Sequence, residues 1–405
     1  MGTVCKPTFT ETPIRLAFLV EHLDPGRGGM ERSAVDFLTE LTALGVEPHV
    51  VTQTSAEVPP GVQVHALGME GWTDEMQYRH FVARAERFLA SQRWDVVHAI
   101  RPCVSCDVYQ PRGGLVKTGQ DRTVAARRTM LSKGLRKIGL LFDGKERLLI
   151  SLEQRLLTRE NPPVVVVPSH YVGRQVAEQY RLPEGHVRRV FNGVRILPPA
   201  HGDRQTVRAR WRQELELAED RLVAIFVGHN FRRKGLARII DALALPEGRD
   251  WNLLVVGRDG SKPYERQAQR LQVGGRVRFL GNRSDVPELF WASDVCVLPT
   301  YNDPCSRTVL EALTLGVPCI TTAYDGSSEC IQDGEQGFVI ESPDSIHLLS
   351  NALRKFRDES TRWYMSRKAS ELAHSVSMRR HAIELVALYQ EIGARRSSVV
   401  TQVST

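Results

Sequence analysis

Along most of the chain, short runs that are apolar on both faces alternate with longer stretches whose apolar residues recur every three or four positions. The first pattern suits strands buried within a parallel sheet and the second suits helices laid over it, so the alternation predicts an α/β architecture. RLAFLV (15–20) opens the series, and a glycine-rich loop leads into the helical stretch MERSAVDFLTELTALG. EPHVVTQ, VQVHAL, a helix over about 74–91 and WDVVHAI follow, and VVVVPS (164–169) and VRRVFNGV (187–194) complete a first unit.

A proline- and turn-rich break, ILPPAHGD (196–203), precedes a second series with the same rhythm. RLVAIFVG, the helix KGLARIIDALA, NLLVVG, RVRFLG, the helix DVPELFWAS, VCVLPT, a further helix, VPCITT and GFVI form it, and helices over about 344–395 end the chain. Two Rossmann-like doubly wound domains are expected, over 1–195 and 204–378, with a last helix over 379–396 and a flexible tail over 397–405.

Open parallel sheets bind ligands beyond the carboxyl ends of their strands, which singles out three loops. In EHLDPGRGGMERS (21–33), glycines permit close approach of a ligand to the backbone, and the helix that follows offers free amides. A dinucleotide fingerprint is excluded, because Gly26, Gly28 and Gly29 do not make G-x-G-x-x-G and the next strand ends in Thr52 and Gln53 with no acid for a ribose. A plain glycine turn is the alternative. In GHNFRRKGLARII (228–240), Arg232, Arg233 and Lys234 stand at a helix N-terminus, where the helix dipole disfavours cations, which points to a bound anion. The Walker spacing is absent. In TYNDPCSRTVLEALTLGVPCITT (300–322), Pro304 sharpens the corner after Asp303, Ser306 suits an N-cap, and Glu311 lies about 7 to 8 Å further along the helix. Two acids so spaced suit the two ends of one extended ligand, with a phosphate between hydroxyl groups, as in a nucleotide sugar. A capping acid followed by an ordinary helix glutamate is the alternative.

Composition narrows the class. The chain has 405 residues, 42% apolar and 25% charged, which suits a folded protein of two domains. No apolar run approaches the ~20 residues of a membrane span and no secretory leader is evident, so a cytoplasmic location is expected. The seven cysteines, an odd number spread along the chain, read as reduced thiols, and the Cys103/Cys106 pair as buried small hydrophobes in preference to a metal or redox site. The net charge of +7 is concentrated: residues 112–160 hold twelve Lys or Arg against five acids. The cations there alternate with Leu, Ile, Met and Phe at near-helical spacing, which suits an anionic membrane surface. A solvated helix packed on its own domain is the alternative. Nucleic acid is not expected as a partner, because stacking aromatics and a recognised module are missing.

DPCSRTVLE, VGHNFRRKG, the GG loop after the first strand and YDGSSECIQDGEQGFVI together resemble the family 4 retaining glycosyltransferases of GT-B architecture, over most of the chain. FRRKG and the DVY at 107–109 are most similar to the bacterial lipopolysaccharide core glucosyltransferase group. The resemblance implies two Rossmann-like domains facing an interdomain cleft, the N-terminal one for the acceptor and the C-terminal one for the donor, with the last helix returning to the N-terminal domain. It implies that Arg233 and Lys234 neutralise the donor diphosphate and that Glu311 binds the ribose. Asp303 and the amides of Cys305 and Ser306, with Arg307 beside them, would hold the transferred sugar or its phosphate, while Gly28 and Gly29 approach the diphosphate. Asp107, His98 and Arg112 are expected on the acceptor side, the first two with Asp303 as catalytic groups; for His98 a satisfied strand-end histidine is the alternative.

The implied reaction is retaining, metal-independent transfer of a hexose, glucose, from UDP-glucose as substrate, with no cofactor, to a lipid-linked or surface glycan such as lipopolysaccharide core. The location would be peripheral, on the inner face of the plasma membrane. A soluble acceptor, or a catalytically silent scaffold that binds a nucleotide sugar or glycan, remain the other readings. Asp303 stands where the family usually has Glu, Arg307 where it has an apolar residue and His229 where it often has Arg. No D-x-D occurs.

Overall fold

Strands that are apolar on both faces need helices above and below, and each half of the chain meets that need separately. The computed structural model describes residues 13–127, 129–196, 202–218 and 221–403. It divides into one unit of Met1–Thr118, Leu135–Phe191 and Met378–Thr405 and another of Gly119–Gly134 and Asn192–Ser377.

The first unit contains β1 (Arg15–Leu19), β2 (His22–Leu23), β3 (Glu47–Thr52), β4 (Thr54–Ser55), β5 (Gln63–Ala66), β6 (Val96–Ala99), β7 (Val108–Tyr109), β8 (Val164–Val167) and β9 (Val187–Arg189). Seven of them form one sheet in the order β5-β3-β1-β6-β7-β8-β9, while β2 pairs with β4 apart from it. All pairings are parallel, and Phe18 of β1 stands opposite Val50 and His98. The strand order reverses between β1 and β6, so the loops after these two strands flank the crevice where such sheets take ligands.

The second unit contains β10 (Leu222–Val227), β11 (Trp251–Val256), β12 (Val277–Gly281), β13 (Val295–Leu298), β14 (Cys319–Thr322) and β15 (Gly337–Ile340), in the order β12-β11-β10-β13-β14-β15. Its reversal falls between β10 and β13. The loops after these strands are the GHNFRRKG and TYNDPCS segments. Two-residue β7 and the β2–β4 pair are too short to leave a periodic signal. The helix Arg204–Glu214 was not expected either, because it buries only Val207, Trp211 and the stem of Arg212.

Several boundaries differ from expectation. Residues 119–134 belong to the second unit, where the Arg122 guanidinium lies 4.3 Å over the Tyr324 ring. The last helix, Met378–Val403, belongs to the first unit and runs past 396, since neither Pro nor Gly follows Gly393 to stop it. Residues 197–201 of the expected break, Arg128 of the basic segment and 404–405 of the expected tail lie outside the described residues. The basic segment is not uniform. Helix Gly144–Thr158 buries Leu149, Leu152, Leu156 and Leu157, whereas helix Met130–Leu141 buries nothing. Cys103 and Cys106 are buried, and burial pushes the Cys106 thiol well up, as suits inert core thiols.

The last helix is fixed to the first sheet by a buried polar group. His98 of β6 is fully buried, its Nδ1 lies 2.5 Å from the Tyr389 hydroxyl, and its ring meets Phe18 edge-on at 5.2 Å. His381 is equally buried, with Nδ1 2.9 Å from the Phe191 carbonyl. Burial, and then the nearby Arg112, push the His98 pKa well down and that of His381 down to about 3. Because the folded-state values lie below the unfolded ones, both rings contribute stability above pH ~6.5 that is lost as pH falls, at up to ~1.4 kcal/mol per pH unit for each ring. Urea midpoints should therefore fall on acidification from pH ~7.5 to pH ~5, and a His98→Gln/His381→Gln variant should flatten that dependence. An equal slope in the variant would contradict the assignment.

Candidate active site

The two loops at the crossover of the second sheet are stitched to each other. The Arg233 carbonyl accepts from the Tyr301 amide at 2.8 Å and from the Thr300 hydroxyl at 3.1 Å. Gly235 makes this approach feasible: its φ is 79°, and a Cβ there would stand 2.0 Å from the Pro299 carbonyl oxygen. The chain reversal before the helix Leu236–Leu243 carries Lys234 to Asp303, and the two side chains, each 11% exposed, form an ion pair. Two residues expected to face different parts of a ligand thus hold each other.

The corner after β13 is held from beneath by Asp325, a residue the sequence reading missed. Its Oδ1 accepts from the amides of Ser306 at 3.0 Å and Ser327 at 2.9 Å, and its Oδ2 from the Thr321 hydroxyl at 3.0 Å. The Asp303 amide donates to the Tyr324 carbonyl, and the Gly326 amide to the Asp303 carbonyl, both at 2.9 Å. Burial, reinforced by the neighbouring Asp303, pushes the Asp325 carboxyl up to about 6. An aspartate just beyond a buried strand and followed by Gly-Ser-Ser is the available sequence signal, since it suits an Asx cap.

This changes two expectations. The Ser306 amide is bound to Asp325 and is not free for a ligand, and Ser306 occupies the N-cap of helix Arg307–Thr314 without its side chain capping it. Its Oγ is instead buried with no hydrogen-bond partner among the described residues, as are Ser327 Oγ and Arg233 Nε. Glu311 sits on the helix with one oxygen 3.0 Å from Arg307, so Arg307 pairs with the very acid expected to bind ribose. Cys305 is buried, its thiol pushed well up by that burial, and its carbonyl accepts from Asn192 at 3.1 Å.

The remaining expected residues belong to the first unit. Gly28 is the extended N-cap of helix Gly29–Ala43, and Gly29 is exposed at its first position. His98 has no exposed surface, so the structure gives it a packing role in place of the expected catalytic one. Asp107 accepts from the Val97 amide at 2.8 Å, which ties β7 to β6 and places its carboxylate in the sheet's own bonding. Arg112 is likewise turned inward: it donates to Gln110 at 3.0 Å and Ser33 at 3.1 Å and lies 4.9 Å over the Phe37 ring.

Two doubly wound parallel sheets, each with its strand order reversed beside its central strand, define a GT-B architecture. Comparison with known proteins agrees: residues 207–372 match the family model Glycosyl transferases group 1, and residues 27–196 match Glycosyltransferase Family 4. The chain belongs to these glycosyltransferases. It is 28% identical over 352 residues to the lipopolysaccharide glucosyltransferase WaaG of Escherichia coli (strain K12), covering 82% of this chain and 87% of that protein. The crystal structure of WaaG superposes with a TM-score of 0.76 at 24% identity, over 92% of this chain and 99% of the other. A D-inositol 3-phosphate glycosyltransferase of Salinispora tropica is 25% identical over 97% of this chain and 88% of its own length. The Anabaena Alr3699/HepE structure in complex with UDP-glucose matches with a TM-score of 0.67 at 19% identity, over 95% of this chain and 99% of the other.

Replacing Asp325 with alanine leaves two buried amides unpaired, while the Thr321 hydroxyl keeps the Leu298 carbonyl, so Asp325→Ala should lose about 3 kcal/mol in urea unfolding while Asp325→Asn, which keeps an acceptor, loses much less. Equal stability of Asp325→Ala and the parent would contradict its supporting role.

Proposed function

We propose that the chain is a retaining glycosyltransferase that moves glucose from UDP-glucose to a lipid-linked or cell-surface glycan such as lipopolysaccharide core. The observation that carries this reading is the Lys234–Asp303 pair at the crossover of β10 and β13, with Arg233 Nε unpartnered beside it. Without a ligand the Lys234 ammonium pairs with the Asp303 carboxylate and its charge also reaches Asp325. A donor diphosphate gives Lys234 a second anion, and Asp303 is then available to sugar hydroxyls. Glu311, further along the helix, takes the ribose hydroxyls once drawn from Arg307. The glucose and UDP parts of the reading are supported by what WaaG is named for and by what Alr3699/HepE was solved with.

The diphosphate gains charge as its bond to the anomeric carbon breaks, and Lys234 and Arg233 offset that charge where water is scarce. The acceptor hydroxyl attacks the anomeric carbon from the face the diphosphate leaves, and its proton passes to the departing phosphate oxygen. Configuration is retained, and no metal is needed for charge balance.

The helix Met130–Leu141 supplies a surface for the lipid-linked acceptor. Met130, Leu131, Leu135, Ile138, Leu141 and the adjoining Phe142 are 55 to 84% exposed, and Lys133, Arg136 and Lys137 are interleaved with them. Among the described residues no helix is long and apolar enough to cross a membrane. An exposed apolar stripe flanked by cations suits the headgroup region of an anionic bilayer, with about 1 kcal/mol from each basic residue near the surface. The site of action is accordingly the cytoplasmic face of the plasma membrane.

Purified protein should hydrolyse or transfer from UDP-glucose in preference to GDP- and ADP-sugars with EDTA present, and Glu311→Ala should lower turnover by about a hundredfold or more. Full activity in Glu311→Ala, or turnover that EDTA abolishes, would contradict the site assignment. In sedimentation with phosphatidylglycerol vesicles, the parent should bind and Leu135→Glu/Ile138→Glu should not; equal binding of the two would exclude this helix as the membrane face.

A further inference from the structure

The carboxyl ends of β1, β3 and β6 converge on polar side chains that neither the fold nor the proposed transfer has used. Glu21 follows β1 and is 5% exposed. Its carboxylate pairs with Lys145, with Arg101 Nη2 at 3.5 Å and with His22 Nε2 at 3.5 Å. Its carbonyl accepts from the Gln53 amide at 3.0 Å and the Thr52 hydroxyl at 3.1 Å, which fixes the strand ends to one another. Burial pushes the carboxyl up, but the His22 hydrogen bond and the charges of Arg101 and Lys145 outweigh it and hold the group down at about 2. Glu21 is therefore ionised at neutral pH, and among the described residues its ion pairs set two cations, Arg101 and Lys145, against this one carboxylate.

That excess is unusual in its placement. Lys145 stands in the first turn of helix Gly144–Thr158, where the helix dipole disfavours it. Arg101 Nε is buried with no hydrogen-bond partner among the described residues, and so is Nε2 of Gln53, a residue only 2% exposed. A buried donor left unpaired costs about 1 to 3 kcal/mol. The cationic side chains remain reachable, at 33% exposure for Arg101 and 24% for Lys145. Unpaired donors and a positive excess, at the strand reversal where parallel sheets take ligands, call for an anion.

We propose that Arg101, Lys145 and Gln53 form a binding site for an anionic substituent, phosphate or carboxylate, on the acceptor glycan, with Glu21 as the positioning residue that holds the two cations in place. This rests on reading the chain as a glycan-directed transferase. The acceptor is then a charged saccharide, which also means that a reaction adding phosphate or forming a uronic acid must precede this one.

Titration calorimetry of the full chain tests it with mannose 6-phosphate, galacturonate and methyl mannoside. The two charged probes should bind and the neutral one should not at the same concentrations; the stronger of the two identifies the anion as phosphate or carboxylate. Arg101→Gln should weaken binding at least about tenfold. Gln53→Leu, which leaves the ion pairs intact and removes the unpaired donor, should weaken it too, with the thermal midpoint no lower than the parent's. Charged probes that bind no better than methyl mannoside, or that bind both variants as well as the parent, would overturn the proposal. UDP-glucose binding by the same sample separates the two readings. Donor binding without charged-probe binding overturns this site alone, whereas charged-probe binding lost in Arg101→Gln, with no nucleotide sugar bound, overturns the transfer reading and leaves the anion site standing.

Discussion

The Lys234–Asp303 ion pair is the contact on which the proposed transfer depends, and it exists because two loops can meet over Gly235. A side chain at that position would collide with the Pro299 carbonyl, the loops would part, and ammonium and carboxylate would no longer share one nearly dry corner. In that corner the pair is stronger than on a surface, yet each partner remains open to exchange with a ligand of the right charge. Asp325 holds the floor beneath it through two amides and a hydroxyl, so the geometry is set before a ligand arrives. In the proposed transfer, preorganised charge of this kind is what would stabilise the departing diphosphate.

The first unit repeats the same physical theme with different residues. Its strand order also reverses beside β1, and a buried carboxylate, Glu21, again gathers cations just past the strand ends. Other buried polar groups of this unit serve the fold: His98 with Tyr389 and His381 with the Phe191 carbonyl hold the last helix, and Arg112 lies over the Phe37 ring. A buried neutral histidine is a stable tie only while it stays neutral, which is why that core responds to acid.

How much was legible in the sequence follows from what each feature needs. Strands such as 15–20 and 222–227 are long and continuously apolar, so period alone reveals them, and the loops that follow them in an open parallel sheet are where a ligand must be sought. Arg233 and Lys234 were visible because cations at a helix start break a local rule, and Asp303 and Glu311 because two acids so spaced suit the two ends of one ligand. Glu21 and Asp325 obey every local rule and become unusual only through burial, which no linear pattern reports. The same blindness explains His98, Asp107 and Arg112: a polar residue at a strand end looks the same whether it faces a substrate or, as here, a sheet amide or an aromatic ring. The exposure of helix Met130–Leu141 beside the burial of Gly144–Thr158 was equally invisible, since both carry apolar stripes.

The central claim is that Lys234 leaves Asp303 to bind a donor diphosphate. Calorimetric titration of UDP into the parent and into Lys234→Met, both with EDTA present, tests it most directly. The account predicts metal-independent binding by the parent and a loss of at least about tenfold in the variant. Equal affinity in the two proteins would contradict it.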